Sequence, residues 1–518
     1  MFDSINLQQA LSDIYDAGVD DDTLSLLYDA NKEIQMSVKT TNGLTDRQTL
    51  QNIVLQGDTW GSILASVHVD NIGKECLEEG HGYLYKNTLK VGFLGLVDDI
   101  IGVTEAGLDA QKLNAFMNIK TAEKTLQFGQ TKCKSMLVGK NTETVINNEL
   151  LVDTWEVKHS ETGEEEIIEN YKGLSAIGKA EEYKYLGFMI SNKGDNMANI
   201  QQVKKKSIGV IRKLIRKLNS LNLKTYYFEC AIILMNAILR PTILYAADMY
   251  YNLKENELRH LERIEEEYLR KVFKTKRGCP IVQLYLEGGQ YPARFEIQRM
   301  RCLYLKYVLH QDDNTLLKRF FDLQLEHSSK GDWVNTCLAD LQELNIKESF
   351  DEIRKMGQNE FSNMLKMKIK KNALQYLIQK QRSKGTEITY SDIEMADYLK
   401  PFNSKLSIEQ KQKLFAIRNR MVEISENFPG KEISSICHCG TTETMSHIYY
   451  CEKWNNGIQP SLKYEKIFTG RISDQIMIFE KFEENFGKRE KMNETMNEKQ
   501  KPPCDPCDPL SCTVDSNG

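Results

Sequence analysis

A chain of 518 residues with 41% apolar and 27% charged side chains has ample material for buried cores, and its length suggests roughly three or four domains. Its 68 basic and 73 acidic side chains leave a net charge of −5, which excludes a globally basic chain and confines any nucleic-acid contact to local patches. No apolar run approaches the ~18 residues that cross a bilayer, the opening MFDSINLQQA lacks the features of a secretion signal, and twelve irregularly spaced cysteines fit a reducing compartment. The expectation is a cytoplasmic or nuclear protein, not secreted and with no membrane partner.

Residues 4–34 read as two helices, with Leu11, Ile14 and Tyr15 on one apolar face and Leu24, Leu27 and Tyr28 on the other. Asp20, Asp21 and Asp22 fall between them, where carboxylates cap a helix start and favour its dipole. Strand-like runs follow at 34–39 and 49–55. Gln56, Gly57 and Asp58 then precede a helix whose apolar face is Trp60, Ile63, Leu64 and Val67. Gly57 leaves room for close approach of a backbone or a base pair; taken alone, a plain strand-to-helix loop is the better reading.

Residues 91–103, VGFLGLVDDIIGV, set Asp98 and Asp99 between two apolar runs of strand length. Short runs apolar on both faces suit buried strands, and carboxylates placed there are costly unless their charge is compensated. The pattern predicts a β-hairpin with two carboxylates at its turn, suited to magnesium or manganese. An ordinary polar turn is the competing reading.

A helix marked by Leu113, Phe116 and Met117 leads to FGQTKCKSMLVG, a loop and strand bearing Lys132 and Lys134. Residues 145–171 read as a hairpin with a very polar turn, and Tyr185, Leu186, Gly187 and Phe188 as a short strand. From Val203 long helices dominate. Between 204 and 224 stand Lys204, Lys205, Lys206, Arg212, Lys213, Arg216, Lys217 and Lys224, with no acidic residue among them. Val210, Ile211, Leu214, Ile215 and Leu218 give the buried stripe, so the helix presents one positive face, suited to a phosphate backbone or simply to solvent. Helical patterns continue to about residue 425, interrupted at Pro401, with further lysines at Lys366, Lys368, Lys370 and Lys371.

CHCGTTETMSHIYYC then places Cys437, Cys439, His447 and Cys451 in C-x-C-x7-H-x3-C spacing. Three thiolates and an imidazole so close match a tetrahedral, structural zinc site, with the first pair one residue tighter than usual. Residues 480–518 read as a polar, disordered tail in which Cys504, Cys507 and Cys512 lack a nearby fourth ligand.

In this order the motifs resemble the reverse transcriptases of non-LTR retrotransposons. LQGDTWGSILAS resembles their QG palm motif, LVDDI the double-Asp motif, QTKCKSM the lysine motif and EYKYLGFMIS the primer-grip strand. LRPTILYAADMYY resembles part of the thumb, and CHCGTTETMSHIYYC the downstream zinc knuckle. The resemblance implies an α+β fold: a partial polymerase palm of antiparallel sheet and helices over 1–195, a helical thumb over 196–310 and a helical connector over 311–430. A zinc knuckle over 431–456 and a largely disordered tail over 457–518 complete it.

The implied reaction is RNA-directed DNA synthesis, with an RNA template, a DNA primer or duplex, and deoxynucleoside triphosphates as partners. Asp98 would hold a catalytic magnesium ion with Asp99 as its supporting neighbour, and Lys132 would assist the departing pyrophosphate. Phe2 would exclude a ribose 2′-hydroxyl, Gln56 and Gly57 would pack near the nascent pair, and Lys204 to Lys217 would hold the duplex. The family's first palm Asp would precede Phe2 by five residues, so the expectation is an N-terminally truncated chain with little or no synthesis. A non-catalytic RNA- or DNA-binding protein and a zinc-containing helical interaction protein are the alternatives.

Overall fold

The computed structural model describes residues 5–500 except 42, 52–53, 55–59, 106, 125, 127, 130–131, 140–150, 157–169, 222, 224–225, 276–278, 328, 330, 383–405, 425, 428–432, 465 and 470. It is mostly helical with small, chiefly antiparallel sheets. Two compact units divide it: Met1–Gln202 with Val308–Thr336, and Val203–Tyr307 with Cys337–Gly518.

The first unit is built on α1 (Leu7–Asp16), α2 (Asp21–Asn31), α3 (Gly61–Glu78) and α4 (Gly107–Glu123). Asn6 caps α1 by accepting from the Gln8 amide at 2.9 Å, and Asp20 caps α2 by accepting from Thr23 at 2.9 Å. The acidic cluster at 20–22 therefore serves the helix start, as its position predicts. Leu7, Ala10 and Ile14 of α1 pack in one core with Leu64, Ala65, Val69, Ile72 and Cys76 of α3 and with Leu113 and Met117 of α4.

The buried face of α3 is rotated from the one its apolar spacing predicts. Trp60 and Ile63 are exposed, while Ala65 and His68 are buried. His68 is accommodated because its Nδ1 lies 2.5 Å from Asp13 Oδ2. Asn71 donates to the same carboxylate at 2.8 Å, and Lys124 reaches both its oxygens at 3.0 Å. A polar side chain that finds its partner in another helix is invisible to a periodicity argument.

The strands form separate two-stranded ladders among the described residues, in place of the one antiparallel sheet expected of a palm. Most run only two to four residues, so each ladder closes few hydrogen bonds. One of them, Lys134–Ser135 with Gly178–Lys179, is parallel. The hairpin Phe93–Leu96/Asp99–Gly102 seats on α3 through a glycine: a Cβ at Gly73 would meet the Phe93 ring at 2.7 Å. This contact needs Gly there.

The second unit is held by stacked aromatic rings and paired buried charges. Phe273 stacks between Phe228 and Phe415, with centroid separations of 5.3 and 4.4 Å. Arg240 donates to Glu265 at 2.9 Å, and the other Glu265 oxygen accepts from Tyr285 and from the Ala293 amide. Arg301 makes two bonds to Asp340, at 2.7 and 2.9 Å. Arg418 is shared by Glu287, the Ile467 carbonyl and Gln475. Burial pushes the Glu265, Glu287 and Asp340 carboxyls up, and their arginines pull them back.

The C-terminal part departs most from expectation. Composition predicts disorder over 480–518 and the resemblance a largely disordered tail over 457–518, yet Lys466–Thr469 and Ile472–Gln500 are helices. Ile478, Phe479 and Phe482 are buried in a core with Leu414, Ile417, Ile448 and Tyr464. The charged composition of this stretch masks an apolar row at helical spacing, and the row decides. Residues 501–518, with Cys504, Cys507 and Cys512, lie outside the described residues.

Candidate metal centre and nucleic-acid interface

The donor atoms of Cys437, Cys439, His447 and Cys451 all lie within 4.8 Å of one another. The sequence builds this locally. Cys437 opens a tight turn, its amide donating to Thr441 at 2.8 Å, while Gly440 at φ +91° donates back to Cys437 at 2.8 Å. That glycine, just after Cys439, closes the turn in a backbone conformation that side chains rarely adopt. Thr444 then caps the helix Met445–Tyr450, accepting from the His447 amide at 3.0 Å. His447 and Cys451, four residues apart, thus return to the same side as the turn.

Cys437 Sγ and Cys451 Sγ are 3.8 Å apart, and Cys439 Sγ lies 3.2 Å from His447 Nε2. A tetrahedron with metal–sulfur bonds of ~2.3 Å has sulfur–sulfur edges of about 3.8 Å, whereas a disulfide needs ~2.05 Å. The cluster fits a metal ion and is consistent with structural zinc. Burial pushes the Cys437 thiol up to about 12. For Cys439, burial works against ionisation, but hydrogen bonds from Thr441 and the neighbouring thiols outweigh it and bring the thiol down to about 6. Cys437 and Cys451 are buried, His447 is half-buried and Cys439 is exposed. His438, between two ligands, is engaged elsewhere: its Nε2 meets Asn493 Oδ1 at 2.6 Å and its ring stands edge-on to Trp454.

Around this centre lies a polar frame that the sequence does not reveal. Glu443 and Arg489 form a buried bidentate pair at 2.7 and 2.8 Å. Asn485 donates to the Ile448 and Tyr449 carbonyls at 3.0 and 3.2 Å. The nearest sequence signal is the mixture of Asn and Arg within the apolar row of the last helix.

The Asp98–Asp99 hairpin forms as predicted, with Leu96 paired to Asp99 and Val97 at φ +58° in the turn. Its flanks are not buried on both faces: Leu94 is 39% and Leu96 54% exposed, since only Phe93, Val97 and Ile100 lean on the α3 core. Both carboxylates are exposed, and no third carboxylate, imidazole or thiol joins them among the described residues. Phe2, Gln56 and Gly57 lie outside the described residues, as does Lys224.

Two of the predicted site segments do meet. On the strand Glu182–Tyr185, alternate residues point the same way. The Tyr185 hydroxyl donates to the Asp99 carbonyl at 3.3 Å and that of Tyr183 to the Lys132 carbonyl at 3.2 Å, both long for such bonds. Burial and then the Asp99 charge raise the Tyr185 phenol, while burial, Cys133 and Asp99 raise that of Tyr183. Lys132 itself is exposed.

The basic helix is α5 (Met197–Ser220). Ile200, Val203, Ser207, Ile211, Leu214 and Leu218 are buried along one side; Val210 and Ile215 are half-buried. Lys204, Lys205, Lys206, Arg212, Lys213, Arg216 and Lys217 are all exposed. At 1.5 Å per residue, Lys204 and Lys217 stand about 20 Å apart along the axis, roughly six base steps of duplex. No helix among the described residues is long and apolar enough to cross a membrane.

No model of a known protein family matches the chain, and no curated protein matches it.

Proposed function

We propose that this protein is a zinc-containing nucleic-acid-binding protein of the reverse-transcriptase kind found in non-LTR retrotransposons. The reading places RNA template and DNA primer on the basic side of α5, and magnesium or manganese with deoxynucleoside triphosphates at the Asp98–Asp99 turn. The observation that carries it is the meeting of the double-Asp turn, the Lys132 loop and the Tyr183/Tyr185 strand, three segments separated by up to 86 residues along the chain. Such convergence supports a shared site better than any of the motifs alone.

In this reading Asp98 faces the cation and Asp99 supports it, while Lys132 faces the phosphates. A two-metal site stabilises the attacking and leaving oxygens together and needs carboxylates from more than one segment. With two carboxylates at the turn and no third donor beside them among the described residues, the expected behaviour is duplex binding without robust synthesis.

Primer extension on an RNA template, with magnesium or manganese and labelled primer, tests this alongside binding measured at several salt concentrations. Salt-sensitive binding that survives Asp98→Ala, with no extension, is the expected result. Robust incorporation abolished by Asp98→Ala would overturn the non-synthetic part of the reading. Failure to bind any duplex at low salt would favour the helical interaction protein instead, for which the braced Cys/His centre speaks.

A further inference from the structure

The helix Ile472–Gln500 runs along two different surfaces. Up to Phe486 it is held by an apolar core. Ile478, Phe479 and Phe482 are buried there, and Gln475 accepts from Arg418 at 2.8 Å. Beyond Gly487 its partners belong to the Cys/His centre. Arg489 pairs with Glu443, Lys488 donates to the Trp454 carbonyl at 3.0 Å and Asn493 meets His438. Met492 packs against Cys437, Cys451 and Trp454.

Gly487 stands at the junction. A Cβ there would meet nothing within 4 Å, so no close contact calls for glycine. In a helix interior glycine costs about 1 kcal/mol relative to alanine, which makes this the weak joint of the helix. The stretch beyond it is near the ~12–15 residues at which an isolated helix is marginal in water.

We propose that this helix is two segments joined at Gly487, and that residues 487–500 are folded only while the Cys437, Cys439, His447 and Cys451 site holds its metal ion. The inference rests on the metal reading of that site. The ion ties the turn carrying Cys437 and Cys439 to the helix carrying His447. Without it, His438 and Glu443, which flank those ligands, lose their fixed places, and Asn493 and Arg489 lose their partners with them. The first segment touches the helix carrying His447 through Ile448 and the Asn485 amide, but its buried row also rests on Leu414, Ile417 and Tyr464, which lie away from the ligands, and it stays packed.

Hydrogen exchange on the full chain, zinc-loaded and chelator-stripped, with metal content measured in parallel, tests this. Exchange in 487–500 is expected to accelerate at least about 10-fold on stripping, while 474–486 changes less than about 2-fold. Cys439→Ser, at the exposed ligand, should reproduce the stripped pattern without chelator. Gly487→Ala should recover part of the lost protection by carrying the helix across the joint. Equal acceleration of both segments, or none in 487–500 after the ion has gone, overturns the proposal alone. A wild-type chain that binds no zinc overturns the metal reading and the proposal together.

Discussion

The Cys/His centre and the Asp98–Asp99 hairpin each gather donors at a turn, but one is built into a core and the other stands at a surface. In the first, four donor atoms converge within 4.8 Å, two of the ligands are buried, and an adjoining helix braces the turn. In the second, two exposed carboxylates have a tyrosine hydroxyl on the backbone beside them. The difference follows from the span of chain each site needs. A soft-ligand site drawn from fifteen consecutive residues completes itself by local folding. A hard-cation site needs oxygens from distant segments, and its geometry depends on how those segments pack.

That contrast can be broken by substitution, most strongly at the metal centre. Cys451→Ser removes a buried ligand, and structural zinc contributes on the order of 10 kcal/mol to small metal-dependent folds. Stoichiometric zinc in the purified chain should disappear and the melting of this region should no longer respond to chelator. Retained zinc at one per chain would contradict the site.

Next comes the frame. Arg489→Ala leaves the Glu443 carboxylate buried without its partner, a change that costs about 3–5 kcal/mol. A fall in the urea midpoint is expected, larger than for any exposed charge in the chain. The double change Arg489→Met with Glu443→Leu should recover much of it, because replacing both partners removes the unpaired charge.

A smaller effect is expected on α5. Replacing Lys213, Arg216 and Lys217 by glutamine should leave folding intact, since all three are exposed. It should lower the slope of log K against log salt by up to about 0.9 for each phosphate that is no longer neutralised. An unchanged slope would assign that face to solvent.

The smallest effect belongs to the hairpin. Asp98→Ala should change stability by no more than about 0.5 kcal/mol, as for other exposed substitutions. A large loss of stability would mean that the carboxylate has a partner the exposed turn does not suggest.

How far the sequence carries depends on where each residue's partner lies. The Cys/His ligands, the cap at Asp20 and the stripe of α5 depend on neighbours a few residues away, and their spacing alone places them. The buried face of α3 does not, because His68 enters the core against partners far along the chain, Asp13 55 residues earlier and the Lys124 carbonyl 56 residues later. The last helix fails for a similar reason. Its charged residues read as a solvated tail until Arg489 is seen against Glu443, 46 residues away. The double-Asp hairpin is legible as a hairpin, but its one-sided packing depends on α3.

Arg418 carries a practical lesson about where this protein can be cut. Its guanidinium is almost wholly buried and divided among Glu287, the Ile467 carbonyl and Gln475. A fragment ending just past Cys451, the boundary that motif spacing suggests, would remove two of those three acceptors, leaving Glu287 of the three. Expression of this unit should therefore extend through the last helix, and proteases should find the intact chain resistant between residues 472 and 486.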